Sequence, residues 1–191
     1  MSEKEHKHRV CPWWMGYWLI SPFRKMMCNP EKEFAPYVTA GMKVLEIGSG
    51  MGFFTLPFAK MVGESGKVAA VDIQKKMIDG LKKRLAKKGF LDRVEIREAK
   101  PDDLNIADLK GSFDLVFAFA VVHEMPDRKK AFKEFYDALK PKGIVIYAEP
   151  KFRVKDLEFK EGLSDACEAG FFLQQELTRM SETVGCVLEK K

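Results

Sequence analysis

The amino-acid sequence predicts an α/β fold, a doubly wound sandwich in which helices cover both faces of a mostly parallel sheet. From Gly41 to Pro150, short apolar runs alternate with segments of helical periodicity, which is typical of parallel strands joined by helices. The run 113–119 lacks polar alternation, as expected for a strand buried on both faces. After Pro150, two further runs are separated by a turn too short for a crossover helix, which predicts antiparallel pairing.

The elements follow in order, with recognisable boundary signals. Asn29-Pro30-Glu31 predicts a helix start, because Asn caps a helix, Pro fits its first position and Glu complements its positive end. We expect this helix to run to about Val38. The other predicted strands are 43–47, 67–71, 94–98, 143–148, 171–177 and 184–188, and the other predicted helices begin at 53 or span 74–88, 127–139 and 157–168.

Composition excludes several classes of protein. A length of 191 residues predicts one compact domain with one appended segment, and a hydrophobic share of 46% excludes a disordered chain. The net charge of +5 is far from that of a dedicated nucleic-acid binder. The apolar runs 13–20 and 115–122 are too short to span a bilayer. The four cysteines show no metal-binding or disulfide spacing, so we expect a cytoplasmic protein with reduced thiols and no metal site.

A glycine-rich turn, Glu46-Ile47-Gly48-Ser49-Gly50-Met51-Gly52-Phe53, joins the first strand of the sheet to a helix. Glycine lets a ligand approach the backbone closely. Asp72 ends the next strand, where a carboxylate can accept hydrogen bonds from ribose hydroxyls. The pattern therefore predicts a nucleoside-containing cofactor. The GxGxG spacing and the acidic Glu46 before it disfavour a pyrophosphate and favour an ammonium group.

These motifs resemble those of the class I S-adenosylmethionine-dependent methyltransferases, of the small-molecule type with a core like that of ubiquinone/menaquinone biosynthesis enzymes. The likeness runs from Gly41 to about Pro150, with an extension toward the C-terminus. The matching motifs are 44–52, 68–73, 113–116 and 139–143. The resemblance implies a Rossmann-like, seven-stranded sheet of order 3-2-1-4-5-7-6 with strand 7 antiparallel. It also implies S-adenosyl-L-methionine as the cofactor and S-adenosyl-L-homocysteine as the product.

The resemblance further implies which residues bind the cofactor. Glu46 supports the amino group, Asp72 holds the ribose diol, Ile73 packs on the adenine and the Phe119 carbonyl accepts from the amino group. The glycine-rich turn contributes Gly48, Ser49, Gly50, Gly52 and Phe53.

The adenine loop departs from the family pattern. Where family members often read Gly-Asp-Ala, this chain has Ala99-Lys100-Pro101. Either Asp102 accepts from the adenine amine instead, or Asp102 and Asp103 cap the short helix that follows.

Few catalytic side chains are expected, because a sulfonium methyl group is already primed for transfer and positioning does most of the work. His123, just after the fourth strand, is the candidate base; the alternative is a histidine at a helix start that bonds a backbone group. The Asn/Asp-Pro-Pro-aromatic tetrapeptide is absent from this strand end, which weighs against methylation of DNA bases.

Residues 1–40 are predicted to form an N-terminal lid and leading helix on a core of residues 41–191. Trp14, Tyr17 and Trp18 are the candidate substrate contacts. Ordinary packing of this segment against the sheet and weak contact with a membrane surface are the alternatives. The basic residues of 74–88 form either a solvated helix face or a phosphate-contacting surface.

We therefore predict a methyltransferase, a monomer or homodimer, that acts on a small, apolar or aromatic acceptor and has no nucleic-acid partner. An RNA or protein methyltransferase and a non-catalytic, S-adenosylmethionine-binding regulatory module are the alternatives.

Overall fold

A seven-stranded sheet forms the centre of the computed structural model, which describes residues 10–21, 28–177 and 182–191. The strand order is 3-2-1-4-5-7-6. The first five strands pair in parallel, whereas the last strand in the chain pairs antiparallel with both the fifth and the sixth. The predicted fold class and strand order are confirmed. The strands are β1 Lys43–Ile47, β2 Lys67–Asp72, β3 Val94–Glu98, β4 Phe113–Phe119, β5 Leu139–Pro150, β6 Phe171–Glu176 and β7 Thr183–Lys190.

The helices connect these strands. Pro30 begins its helix as predicted, but the Asn29 side chain makes no capping bond there. Gly89 ends the helix Lys75–Lys88 in the left-handed conformation, and the Asp127 carboxylate caps the helix Arg128–Ala138 by accepting from the Lys130 N–H. In the described part of the chain, no helix has the length and apolar character needed to cross a bilayer. The helices are α1 Met15–Leu19, α2 Pro30–Glu33, α3 Thr55–Met61, α4 Lys75–Lys88, α5 Arg128–Ala138 and α6 Asp156–Glu168, with 3₁₀ turns at Ala107–Leu109 and Val122–Glu124.

Two hydrophobic clusters cover the two faces of the sheet. Strand β4 shows why both are needed: Leu115 and Phe117 belong to one cluster, and Val116 and Ala118 belong to the other. All four side chains are almost fully buried, and burying a Leu, Val or Phe side chain contributes about 1.5–3 kcal/mol. The uninterrupted apolar sequence of this strand is the direct result of burial on both sides.

Two predicted boundaries differ from the structure by more than two residues. Helix α2 ends at Glu33 rather than near Val38. Pro36 accounts for the early end, because its ring clashes with the carbonyl four residues earlier and restricts the residue before it. Strand β5 is longer than the predicted 143–148, starting at Leu139, where Leu139 pairs with Phe113 of β4 before the register shifts. Parts of the predicted lid, residues 1–9 and 22–27, lie outside the described residues.

Candidate functional site

The sheet places its ligand-binding edge where the strand order reverses. Strands β1 and β4 are neighbours in the centre of the sheet, while their connections lead to opposite sides. In open α/β sheets, ligands bind at the carboxyl ends of the strands at this kind of switch point. Four residues lie in the last two positions of their strands at this edge. They are Glu46 on β1, Asp72 on β2, Phe119 on β4 and Glu149 on β5.

Three glycines of the glycine-rich turn, Gly48, Gly50 and Gly52, have positive φ, and the first two shape the ligand side of the turn. Gly48 has φ of +74°, and a Cβ there would lie 2.7 Å from Val121 Cγ2. Gly50 has φ of +54°, and a Cβ there would meet no atom within 4 Å. Gly48 is therefore needed for close packing against the segment after β4. At Gly50 the same absence of a side chain leaves open space directly above the backbone.

Ser49, between these glycines, has an unsatisfied polar group. The residue is only 4% exposed, and its Oγ has no hydrogen-bond partner among the described residues. A buried hydroxyl without a partner costs about 1–3 kcal/mol. Together with the open space at Gly50, this hydroxyl fits a turn that completes its hydrogen bonds with a polar ligand.

Asp72 ties the glycine-rich turn to the end of β2. Its Oδ2 accepts from the Gly50 N–H at 2.7 Å, and its Oδ1 accepts from the Gln74 N–H at 2.8 Å. Burial raises the pKa of Asp72, and these backbone hydrogen bonds partly offset the rise. The carboxylate is thus rigidly held, and these backbone donors do not use all four of its lone pairs.

Glu46 is a buried carboxyl group directly before the turn. Its only described side-chain partner is Thr55, whose Oγ1 donates to Oε2 at 2.6 Å. Burial raises the pKa of Glu46 to about 8, although the bond from Thr55 opposes the rise and the nearby charge of Asp72 adds to it. A cationic group brought next to this carboxyl would favour its ionised form.

His123 lies in the 3₁₀ turn after β4 and is held by the end of β5. Its Nδ1 is 2.6 Å from Oε2 of the fully buried Glu149, whose Oε1 accepts from the His123 N–H at 3.0 Å. Its Nε2 is 3.9 Å from Glu124 Oε1. Burial opposes protonation of the ring, but the hydrogen bond and charge of Glu149 outweigh it, so the pKa of His123 is raised. The contact with Glu149 is to a carboxylate and not to the backbone group of the alternative interpretation.

A strained backbone position lies close to this histidine in the chain. Ala120, immediately after β4, has φ of +57°, although it is not a glycine, and its N–H donates to the Ala148 carbonyl at 2.7 Å. Left-handed backbone costs roughly 1 kcal/mol or more at a residue with a Cβ. Ala120 thus turns the chain sharply at the carboxyl end of β4, directly before Val121, which packs on Gly48.

The N-terminal segment crosses this edge of the sheet. The Cys11 N–H donates to Glu124 Oε1 at 3.1 Å, and the Cys11 carbonyl accepts from Gln74 Nε2 at 2.8 Å. The backbone of one residue thus bridges the segments that follow β4 and β2. Helix α1 then packs through Gly16, where a Cβ would lie 2.7 Å from Met77 Sδ and 3.1 Å from Met51 Cε.

The predicted site residues divide into two groups. The structure brings Glu46, Gly48, Ser49, Gly50 and Asp72 together at the carboxyl edge, and Gly52 packs in the same turn, where a Cβ would meet Leu81. Phe53, Ile73 and Phe119 are half-buried beside them. By contrast, the following predicted residues are exposed: Asp102, Trp14, Tyr17 and Trp18.

The structure shows one contact of the acidic pair in the adenine loop. Asp103 Oδ1 accepts from the Asn105 N–H at 2.7 Å, so Asp103 stabilises the turn rather than the 3₁₀ helix that follows. The cofactor contact of Asp102 stays a prediction.

Sequence reasoning missed the residues that hold the site together, namely Thr55, Gln74, Glu124 and Glu149. Glu149 offered a signal, since it is an acid at the end of an otherwise apolar run, as Glu46 and Asp72 are. The other three residues have no pattern that separates them from ordinary helix and turn residues.

Comparison with known proteins places the chain among enzymes of one type. A family model described as a methyltransferase domain matches residues 38–185. The ubiquinone/menaquinone biosynthesis C-methyltransferase UbiE of Haemophilus ducreyi is 32% identical over 112 residues, which are 59% of this chain and 42% of that protein. The same enzyme of Cronobacter sakazakii is 32% identical and is covered over 44% of its length. The chain thus spans less than half the length of these curated relatives.

Solved structures show the same fold. A SAM dependent methyltransferase from Aquifex aeolicus superposes with a TM-score of 0.84 at 24% identity, covering 95% of this chain and all of that one. A putative S-adenosyl-L-methionine-dependent methyltransferase from Methanococcus maripaludis gives a TM-score of 0.76 at 18% identity, with coverage of 100% and 97%.

Proposed function

Because the chain belongs to the methyltransferase domain family, we propose that it binds S-adenosylmethionine and catalyses transfer of its methyl group to a small acceptor molecule. The single observation that carries this proposal is the glycine-rich turn, where the buried Ser49 hydroxyl lacks a partner among the described residues and the space at Gly50 is open. Asp72 stands rigidly beside that space. These features fit a ligand with hydroxyl groups and a methionine-like chain.

In this proposal, residues of the turn and of the neighbouring strand ends each contact a different part of the cofactor. Glu46 faces the amino group, Asp72 accepts from the ribose hydroxyls, and the Phe119 carbonyl accepts from the amino group. The adenine lies near Ile73, with Asp102 as the acceptor for its amine. The backbone of the turn lines the methionine and ribose portion through Gly48, Ser49, Gly50, Gly52 and Phe53.

The chemistry requires little from the protein. The cofactor supplies a methyl group on a positively charged sulfur, from which it transfers in line to a nucleophile. The protein orients the two reactants, excludes water and removes a proton where the nucleophile carries one. We assign the last task to His123 Nε2, with the ring oriented by Glu149 through Nδ1. Because the pKa of His123 is raised, the ring loses its proton and becomes an effective base only at a pH above the usual pKa of histidine.

Two observations support a class of acceptor: the N-terminal segment that lies over the site, and the enzymes to which this chain is similar. The segment bridged by Cys11 lies over the carboxyl edge, and we propose that it forms a lid. The exposed rings of Trp14, Tyr17 and Trp18 then contact the substrate on the outer side of this lid, as it approaches the site. The named relatives are C-methyltransferases of ubiquinone and menaquinone biosynthesis, which supports an apolar, aromatic or quinone-like acceptor. The division into a lid of residues 1–40 and a core of residues 41–191 belongs to the same proposal. A cytoplasmic monomer or homodimer stays a prediction.

Calorimetric titration of the full chain with S-adenosylmethionine tests the binding step. We expect one site per chain and a tenfold or greater loss of affinity in Asp72→Ala, consistent with loss of charge-assisted hydrogen bonds of about 1.5–3 kcal/mol. The matched control is Asp79→Ala, an exposed acid on α4. Absence of binding at millimolar cofactor would contradict the proposal. Binding without release of S-adenosylhomocysteine in the presence of quinone-like and phenolic acceptors would instead identify a non-catalytic binding module.

A further inference from the structure

Helix α1 presents a row of large aromatic side chains to solvent. Trp14, Tyr17 and Trp18 are 61%, 63% and 58% exposed. Their spacing of three and four residues places them on one side of the helix, and we call these three residues the aromatic face. Exposed aromatic rings grouped on one helical turn are unusual on a surface that faces only water, and such patches mark interaction sites.

The aromatic face cannot turn inward without breaking the contacts that hold α1. Gly16, on the opposite side of the helix, packs closely against the ends of the Met51 and Met77 side chains. The Cys11 N–H is held by Glu124, and the Cys11 carbonyl is held by Gln74. The rings therefore stay outward while the opposite side of α1 stays seated on the glycine-rich turn.

Positive charge adjoins the aromatic face. Lys75 and Lys76, both exposed, begin α4 beside α1, and the Lys76 Nζ lies 4.2 Å from the centre of the Trp13 ring. The exposed side of α4 continues this charge along its length, with Asp79 as its single acid. The basic residues of that side are Lys75, Lys76, Lys82, Lys83, Lys87 and Lys88.

The sequence around α1 has the same character. Residues 1–29 hold five Lys or Arg and two Glu, together with all three tryptophans of the chain. Indole and phenol rings settle at the level of lipid headgroups, where an apolar ring body and a polar edge are both accommodated. Lysines beside them are attracted by anionic headgroups. A folded RNA would match the charge but would leave several rings of a convex helix without bases to stack on.

We propose that the aromatic face, with Lys75 and Lys76, docks this protein on membrane surfaces that contain anionic lipid. The rings enter the headgroup layer, and the two ammonium groups lie against lipid phosphates. Because α1 also crosses the carboxyl edge of the sheet, docking brings the mouth of the candidate site to the lipid surface. The binding itself requires neither a cofactor nor methyl transfer.

Tryptophan fluorescence tests this docking with unusual selectivity, because Trp13, Trp14 and Trp18 are the only tryptophans of the chain. Titration of the full chain with phosphatidylglycerol vesicles at low salt is expected to shift the emission to the blue and to co-sediment the protein. Phosphatidylcholine vesicles are expected to give a much smaller effect. Added salt should weaken binding, because it screens the attraction between lysine and headgroup.

Two variants separate the aromatic and the charged contributions. Trp14→Ala combined with Tyr17→Ala and Trp18→Ala is expected to abolish sedimentation with vesicles. Lys75→Gln combined with Lys76→Gln should lower the partition coefficient at least tenfold. Each lysine near an anionic surface contributes roughly 1 kcal/mol to binding, or about fivefold in the partition coefficient. An unchanged unfolding midpoint checks that each variant is folded.

Matched controls come from surfaces away from α1. Lys43→Gln with Lys110→Gln removes two exposed charges at the amino-terminal ends of β1 and β4. Leu173→Ala removes an exposed apolar side chain of β6 that is 45% exposed. We expect neither control to change the partition coefficient by more than about twofold, since exposed residues outside the contact contribute little.

Four results would overturn the inference. They are failure to partition into phosphatidylglycerol vesicles, equal loss in the control variants, a fluorescence shift that depends on protein concentration but not on lipid, and salt-sensitive binding to single-stranded RNA without binding to vesicles. Each is read without a methylation assay, and the cofactor titration is read without lipid. Failure of docking and failure of the proposed function are therefore distinguishable.

Discussion

Glu46 is a carboxyl group that the fold keeps protonated at neutral pH. Its pKa is about 8 because the group is buried, whereas an unfolded glutamate ionises near pH 4.3. Between these values the folded chain binds a proton that the unfolded chain does not, so this group makes stability fall as the pH rises toward 8. A buried acid of this kind is a cost to the ligand-free protein, and a cationic ligand would remove that cost.

Binding of S-adenosylmethionine at pH 6.5 is therefore expected to release up to one proton from Glu46. The amino group of the ligand is itself protonated there, since α-amino groups titrate near pH 7.7–8.0. Calorimetry in two buffers of different ionisation enthalpy measures this release. Glu46→Gln should abolish it, while Glu64→Gln, which alters a carboxylate that is 92% exposed, should leave it intact. Equal proton release in both variants would contradict the role of Glu46.

Glu149 is expected to set the pH at which His123 becomes a base. Glu149→Gln removes the buried charge next to Nδ1, so the pKa of His123 should fall. The rise of kcat/KM with pH should then occur about one pH unit lower than in the unchanged protein. Glu124 and Arg153 also act on the ring, so the shift is partial. Glu149→Asp should return this rise toward its original position. An unmoved profile combined with a lower unfolding midpoint would reduce Glu149 to a structural role.

At the scale of elements, α1 is an appendage that contacts the site without belonging to the core. None of its described residues lies in either hydrophobic cluster, and its seat depends on the missing side chain of Gly16. Such an element has low local stability and can be moved without unfolding the domain. Its position can therefore be tested separately from the sheet.

Gly16→Val is expected to dislodge α1, because its branched side chain cannot fit between Met51 and Met77. The unfolding midpoint should stay within a few degrees and the affinity for S-adenosylmethionine within a factor of a few, while turnover should fall steeply. Gly16→Ala should give a smaller loss, since Met77 is flexible at its end. Ala35→Val at an exposed position is the control. Equal losses of cofactor affinity and turnover would show that α1 supports the cofactor site rather than the acceptor.

On the scale of the whole molecule, the sheet could be predicted from the sequence because its strands are continuous apolar runs. The predicted bounds of β1, β3 and β4 are confirmed at both ends. Helix α1 could not be predicted, since five residues give no periodicity to read and its position depends on contacts with Met51, Met77 and the Cys11 bridge. Packing with distant parts of the chain decides such an element, and local pattern does not record it.

The candidate site was predictable only where the chemistry is local. The glycine-rich turn and Asp72 lie in short motifs, whereas the partner of His123 is 26 residues away, on another strand. No spacing rule links a histidine after β4 with an acid at the end of β5. The pairing follows from the adjacency of these two strands in the sheet.

Strand β7 lies between β5 and β6, although it follows both in the chain. The first five strands can pair with earlier neighbours as they emerge from the ribosome, but β6 pairs in the sheet only with β7. Its exposed backbone groups must therefore wait until β7 has been synthesised. During that interval the free edge of β5 and both edges of β6 can pair with other unfinished chains. Insertion of β7 covers the edge of β5 and one edge of β6.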